Sequence, residues 1–381
     1  MILMGGNILN SRFKIEKKDI CITDGKIFFN SSDSLNFSDS NNLKILDITG
    51  LTVLPGLIDL HIHGYKETDI AAAGKKELDA LCGDLVKEGT TSFLCGLAAD
   101  SHENTLNSLK VISKYRKGQS AGAEILGFNM EGPYLSKEKK GAIPEKYIRK
   151  ADVNELNEFC KAADNQIKIM TIAPEITENQ DCIHELTERN IVPAIGHSNA
   201  TASETEKSMK HGISHATHLF NAMRGISHRE PGVPGAVFDS DITAELICDG
   251  FHINEKIIRM TYRLLGKERL ILISDNGQMS GSADGKYVVN GITTIIKDGT
   301  CKLPDGTLKG NYSSLFECVK RAIKFGIPFE DAVYCATYSP AKRIGVEQKK
   351  GSIDIGKDAD LLIVDDNLTL RHVIKNGKLL K

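Results

Sequence analysis

Eight short runs of apolar, often β-branched residues recur along the chain. They are Leu57–His63, Thr90–Leu97, Glu124–Met130, Ile167–Ala173, Ile191–Gly196, His215–Phe220, Ile242–Cys248 and Leu270–Ser274. Stretches with helical periodicity lie between several of them: Lys76–Lys87, Val153–Ala163, Ile183–Arg189 and Ser203–His211. Strand then helix, repeated, predicts a parallel sheet with crossover helices, and eight repeats predict a closed (β/α)₈ TIM-like barrel. An open doubly wound sheet is the competing α/β fold. It is disfavoured because no Gly-rich dinucleotide fingerprint follows the first run.

The two ends of the chain read differently. Ile20–Thr23, the turn Asp24-Gly25 and Lys26–Phe29 form one predicted hairpin. Near the other end, Arg371–Lys375, Asn376-Gly377 and Lys378–Leu380 form another. Neither end suffices for a stable sheet alone. Residues 1–54 and 346–381 are therefore expected to pair into one small β-sandwich beside a barrel of residues 55–345. The Ser-, Asn- and Asp-rich segment Ser31–Asn42 is expected to be a loop.

With 381 residues, 41% hydrophobic and 26% charged, the chain has enough apolar material for a buried core. A net charge of −2 gives no electrostatic support for nucleic-acid binding. No stretch is apolar for long enough to span a bilayer, and the N-terminus lacks a charged segment followed by an apolar one. The nine Cys residues contain no Cys-x-x-Cys pair. Cys82, Cys95, Cys248 and Cys335 lie in apolar runs, so core-filling thiols in a reducing, cytoplasmic setting are expected.

The chemistry-bearing residues gather at the C-terminal ends of the predicted strands, where barrel enzymes carry their sites. His61 and His63 close the first run on one strand face, an arrangement able to chelate a metal, or equally a pair of hydrogen-bonded polar residues at a strand end. Glu131 ends the third run, His197 the fifth, and Asp275 the eighth. His215 and His218 lie three apart in the sixth, so on a strand at most one of them faces the site. His102, His184, His211, His228 and His372 fall in polar segments and read as solvated or structural. Arg229 in the sixth-to-seventh loop suits a phosphate or carboxylate, or equally a surface ion pair. A histidine and carboxylate set accepts Zn, Fe, Mn, Co or Ni. Such an ion acidifies a bound water, and Asp275 is placed to exchange its proton. A plain ligand, a helix cap or a turn residue is the alternative for Asp275.

These residues sit in a run of motifs: Leu54-Pro-Gly-Leu-Ile-Asp-Leu-His-Ile-His-Gly64, Glu131-Gly-Pro-Tyr-Leu-Ser136, Gly196-His-Ser-Asn-Ala-Thr201 and Thr217-His-Leu-Phe-Asn-Ala-Met223. Arg229-Glu-Pro-Gly232, Asp249-Gly-Phe-His252, Ala336-Thr-Tyr-Ser-Pro-Ala341 and Gly356-Lys-Asp-Ala-Asp-Leu361 follow. Together they resemble the N-acetylglucosamine-6-phosphate deacetylases of the amidohydrolase superfamily over nearly the whole chain. The resemblance implies a metal held by Glu131, His197 and His218, with His61 and His63 matching the pair that holds a second metal in some members. One or two divalent ions per subunit are thus implied. Asp275 matches the general base and acid, and His252 a histidine that binds the sugar and polarises the amide. Asn221 and Ala222 match a phosphate-contacting stretch. Arg229 matches an arginine reaching the neighbouring subunit's site, which implies a homodimer.

The implied reaction turns N-acetylglucosamine-6-phosphate into glucosamine-6-phosphate and acetate. The chain departs from the family pattern at four places. Ala142, in the substrate-touching segment Lys139-Lys-Gly-Ala, is followed by Ile143 where members carry a His. Asn276-Gly277 follows Asp275 in place of Ala. Gly310-Asn-Tyr-Ser-Ser314 and Tyr65-Lys-Glu-Thr replace the usual loop residues. The same chemistry on N-acetylgalactosamine-6-phosphate or another N-acyl compound is therefore an alternative, and an inactive sugar-phosphate-binding barrel is another.

Overall fold

The computed structural model describes residues 1–29, 44–289 and 292–380. The expected loop at Ser31–Asn42 lies outside these residues. All eight predicted strands are present. They run Leu57–Ile62, Thr90–Ala98, Glu124–Glu131, Ile167–Ile172, Val192–Ile195, His215–Ala216, Thr243–Ile247 and Leu270–Ile273. They pair in parallel in chain order. The first and eighth meet at their C-terminal rim, where Asp275 N–H donates to the His61 carbonyl and Ile62 bridges Asn276. That contact closes the barrel.

Ile58, Leu60, Leu94, Leu126, Ile169, Ala194, Ile247, Ile271 and Ile273 form one buried cluster drawn from seven of the eight strands, so it fills the interior. The opposite strand faces, with Phe93, Phe128, Met170 and Leu272, pack against the helices in a larger core. The helices at Lys75–Lys87, Val153–Ala162, Gln180–Glu188 and Ala202–Lys210 lie within a few residues of the predicted spans. The sixth strand is shorter than expected. It stops at Ala216, because His218 already has φ 25°, outside any strand conformation. An antiparallel excursion, Gly285–Val289, Ile292–Lys297 and Thr300–Lys302, follows the eighth strand and was not foreseen.

Strands from both ends of the chain combine. Lys378–Leu379, Leu370–Lys375 and Leu361–Val364 continue into Thr52–Pro55, Asn7–Leu9 and Ile15–Lys17 in a six-stranded sheet. A second sheet holds Lys26–Phe29, Ile20–Thr23, Ile2–Met4 and Ile45–Asp47. Leu3, Ile20 and Ile27 from one sheet bury against Ile8, Val53, Ile363 and Ile374 from the other, giving a sandwich. Both Asx-Gly hairpins have the double positive φ that their turn type requires: Asp24 and Gly25 at 51° and 74°, Asn376 and Gly377 at 49° and 74°. All nine cysteines are free and buried. Among the described residues no helix is long and apolar enough to cross a membrane.

Candidate metal and catalytic site

The strand ends converge on two adjoining clusters at the barrel's C-terminal rim. In the first, Glu131, His197 and His218 are all buried, and both histidine Nε2 atoms lie 2.9 Å from Glu131 Oε1. In the second, His61 Nε2 lies 3.0 Å from His63 Nε2, and Asp275 Oδ1 is 3.7 and 3.6 Å from these nitrogens. Glu131 joins the two clusters, since its Oε2 is 3.4 Å from His63 Nε2. Of the two histidines in the sixth run, His218 enters the cluster. His215 points its Nδ1 to Thr243 Oγ1 at 2.6 Å.

Local backbone explains the convergence. His197, His218 and Asp275 have φ of 46°, 25° and 49°, in the left-handed region just beyond a strand end. A strand continuing past the rim would carry these side chains into solvent. The positive φ turns each one across the barrel mouth instead, at roughly 1–3 kcal/mol of local strain.

The donor chemistry fits a cation. His197 Nδ1–H donates to the Lys139 carbonyl at 2.8 Å, and a carbonyl can only accept. The neutral ring therefore presents a lone pair from Nε2 toward the Glu131 oxygen, two acceptors facing each other unless a proton or metal lies between. His61 repeats the pattern, because its Nδ1 is 2.9 Å from the acceptor Glu245 Oε2. The electrostatics agree. Burial disfavours the His61 cation, yet Glu245, Asp275 and Glu131 outweigh it and push the imidazole up to about 10. Burial alone would raise Glu131. The charge and hydrogen bond of His197, with His218 and His63, hold it well below the carboxylate range. Carboxylates outnumber the fixed cations here, so positive charge is favoured in the pocket. Nitrogen and oxygen donors converging in this way suit borderline divalent ions.

The remaining predicted residues sit around the clusters. His252 Nδ1–H donates to Asp249 Oδ2 at 2.7 Å, which fixes the ring on its loop and leaves Nε2 without a hydrogen-bond partner among the described residues. Burial would raise Asp249, but the His252 hydrogen bond and charge lower it. Asn221 and Ala222 follow His218 on the same turn. The Ala222 carbonyl accepts from Ser198 N–H at 3.2 Å, tying that turn to the one carrying His197. Gly141, beside Ala142, adopts φ 55° and lies close to both His197 and Ala222. Arg229 stands exposed on its loop and makes no hydrogen bond or ion pair within the described chain. The structure does not bring it to the clusters. His102, read from sequence as solvated or structural, pairs with Glu155 and Glu158.

Three of the four unusual loops interlock beside Asp275. Asn276 Nδ2 donates to the Asn311 and Ser313 carbonyls, and Asn311 N–H donates to the Asp275 carbonyl. Lys66 and Glu67 N–H donate to the Ser280 and Gln278 carbonyls. Ile143 behaves otherwise: its side chain packs with Ala99, Leu135 and Ile148 in a small apolar cluster. Sequence reading missed Glu245, which is fully buried against His61 and His218. Its signal was a lone charge inside the apolar run Ile242–Cys248.

Comparison with known proteins agrees with this geometry. The model of the amidohydrolase family matches residues 52–380. An N-acetylglucosamine-6-phosphate deacetylase of Bacillus subtilis is 35% identical, covering 86% of this chain and 84% of that protein. An N-acetylgalactosamine-6-phosphate deacetylase of Escherichia coli O157:H7 is 30% identical over 85% of this chain and 86% of its own. The crystal structure of N-acetylglucosamine-6-phosphate deacetylase from Pasteurella multocida superposes with a TM-score of 0.91 at 32% identity, covering 100% of this chain and 99% of that one. The chain therefore belongs to the amidohydrolase family, within the group of amino-sugar-phosphate deacetylases.

Proposed function

We propose that this chain hydrolyses the acetamide of N-acetylglucosamine-6-phosphate, giving glucosamine-6-phosphate and acetate. The observation that carries the reading is the meeting of Glu131, His197 and His218 with His61, His63 and Asp275 on one barrel rim. It occurs in a chain alike along its length to deacetylases of that name. Glu131, His197 and His218 would hold one divalent ion, and His61, His63 and Asp275 have the donors for a second. Such an ion supplies Lewis acidity, polarising a carbonyl and acidifying water.

The chain's own groups do the rest. Asp275 takes a proton from the attacking water and returns it to the amine nitrogen as the C–N bond breaks. His252, oriented by Asp249, offers Nε2 to the acetyl oxygen, where a preorganised donor contributes several kcal/mol. Donation from Nε2 requires the ring to carry both protons. Asn221 and Ala222 receive the phosphate. Arg229, exposed and unpaired among the described residues, reaches the phosphate in a neighbouring subunit, so the active unit is a homodimer. Nine unpaired thiols support a cytoplasmic location. The proposed division places residues 55–345 in the catalytic barrel and both ends in the sandwich.

The same chemistry on the galactosamine epimer is the second reading. Ile143, buried among apolar neighbours where relatives place a substrate-touching His, favours it. The test is acetate release from both epimers by metal-loaded enzyme and by Asp275→Asn. Turnover of N-acetylglucosamine-6-phosphate is expected to need metal and to fall by about 10²- to 10⁴-fold in the variant, in line with removal of an acid–base group. The metal at Glu131, His197 and His218 is expected to remain. Faster release from the galactosamine substrate would select the second reading, and no release from either would indicate a binding protein.

A further inference from the structure

Glu245 lies on the seventh barrel strand, on the same face as Ile247 of the interior cluster. It is fully buried, so it reaches neither solvent nor substrate. A carboxylate there is tolerated only if it is paired, since an uncompensated buried charge costs several kcal/mol. Its partners are specific. Oε2 accepts from His61 Nδ1–H at 2.9 Å and from the His218 backbone N–H at 3.1 Å. Oε1 lies 3.3 Å from His215 Nε2, whose other ring nitrogen faces Thr243.

A carboxylate can only accept, so the Nδ1 proton of His61 is held in place. When the ring gives up its other proton, as a ligand must, the lone pair is on Nε2, and it is Nε2 that faces His63 at 3.0 Å and Asp275 Oδ1 at 3.7 Å. With the other tautomer, the atom facing the cluster would be an N–H, which cannot ligate. We propose that Glu245 is a positioning residue that sets the tautomer and orientation of His61, and so controls metal occupancy at the His61–His63–Asp275 cluster. The inference rests on the metal-binding part of the functional reading and not on the identity of the sugar. A carboxylate behind a ligating histidine generally changes metal affinity 10- to 100-fold when removed.

The test is Zn(II) binding by the full-length protein, with stoichiometry and both dissociation constants read by chelator competition for wild type, Glu245→Ala and Glu245→Gln. Wild type is expected to bind two ions. Glu245→Ala should weaken one of them by about 10- to 100-fold, and placing it in a His61→Ala background should add nothing further. Glu245→Gln keeps an acceptor oxygen for His61 and should recover most of the loss. A purely structural role would weaken both ions alike and would not respond to the His61 background. Should Glu245→Ala not fold, Glu245→Leu, which fills the space without an acceptor for His61, decides: selective weakening at one ion supports the proposal, and two unchanged or equally weakened ions overturn it. A wild type that binds only one ion also overturns it. Acetate release is measured separately, so loss of the substrate reading leaves this result interpretable.

Discussion

His197, His218 and Asp275 share one backbone solution, a positive φ immediately past a strand end. Only glycine adopts that region without cost, so these positions are held by their side chains' chemistry against their backbone preference. This makes an unusual ordering of variants testable at His218. Both His218→Ala and His218→Gly remove the proposed ligand. Alanine keeps the unfavourable left-handed conformation, whereas glycine relieves it. In protein stripped of metal by chelator, His218→Gly is expected to be more stable than His218→Ala by about 1 kcal/mol, despite glycine's larger unfolded-state entropy. Urea midpoints at equal m-values would measure the difference. An alanine variant as stable as the glycine one would show that the turn carries no strain.

The loops differ from the strands in how far sequence could be read. Each strand announced itself by an apolar run, and the histidines and carboxylates of the two clusters stood at or near the ends of such runs. Position and chemistry were therefore both visible before any contact was known. Glu245 was not singled out, because its role depends on a partner 184 positions away in the chain. The Gly285–Lys302 excursion was also missed, since nothing in the repeat of strand and helix demanded it. The unusual loops were visible only as separate departures. In three dimensions three of them are one hydrogen-bonded unit, with Asn276 donating to two carbonyls of the Asn311–Ser313 loop at 2.9 and 3.0 Å. Asn276 is buried, so Asn276→Ala leaves both carbonyls without that donor, at about 1–3 kcal/mol. The neighbouring Asp275 should become less well placed, because Asn311 N–H holds the Asp275 carbonyl at 2.9 Å. The expected signature is a fall in kcat larger than any change in KM, with metal content unchanged. A KM effect alone would mean that the unit shapes substrate binding instead.

The whole molecule depends on joining a sandwich built from both chain ends to the barrel. The larger hydrophobic core crosses that junction, with Leu54, Leu362 and Val373 of the sandwich joining the barrel residues, and a charge cluster spans it as well. Lys350 Nζ lies 2.7 Å from both Glu124 and Asp360 and 2.9 Å from Asp358. Lys375 adds contacts to Asp360 at 2.8 Å and to Glu124 at 3.2 Å. Glu124 opens the third barrel strand, and Lys375 ends a sandwich strand, so the network ties the two parts together. The cluster also offers three carboxylates that resemble a metal site, yet Lys350, Lys375 and Lys26, 2.6 Å from Asp358, already pair with them. Burial would raise Glu124 and Asp358. Lys350 and Lys375 lower Glu124, and Lys26 and Lys350 lower Asp358, while Asp360 and Glu124 outweigh burial and raise Lys350 above the ordinary lysine value. For a carboxylate with a depressed folded pKa, the stabilisation is complete above the unfolded value of about 4 and is lost as pH falls through the folded value. Lys350→Met removes the central cation from a site only 5% exposed. Breaking a buried pair in this way should cost about 3 kcal/mol at neutral pH, with Lys375 still holding Asp360. The penalty should shrink as pH drops below about 4, where protonation removes the charges that the lysine served. Denaturant unfolding of wild type and variant across that range would show it. A gap independent of pH would assign Lys350 a packing role instead, through its buried aliphatic stem.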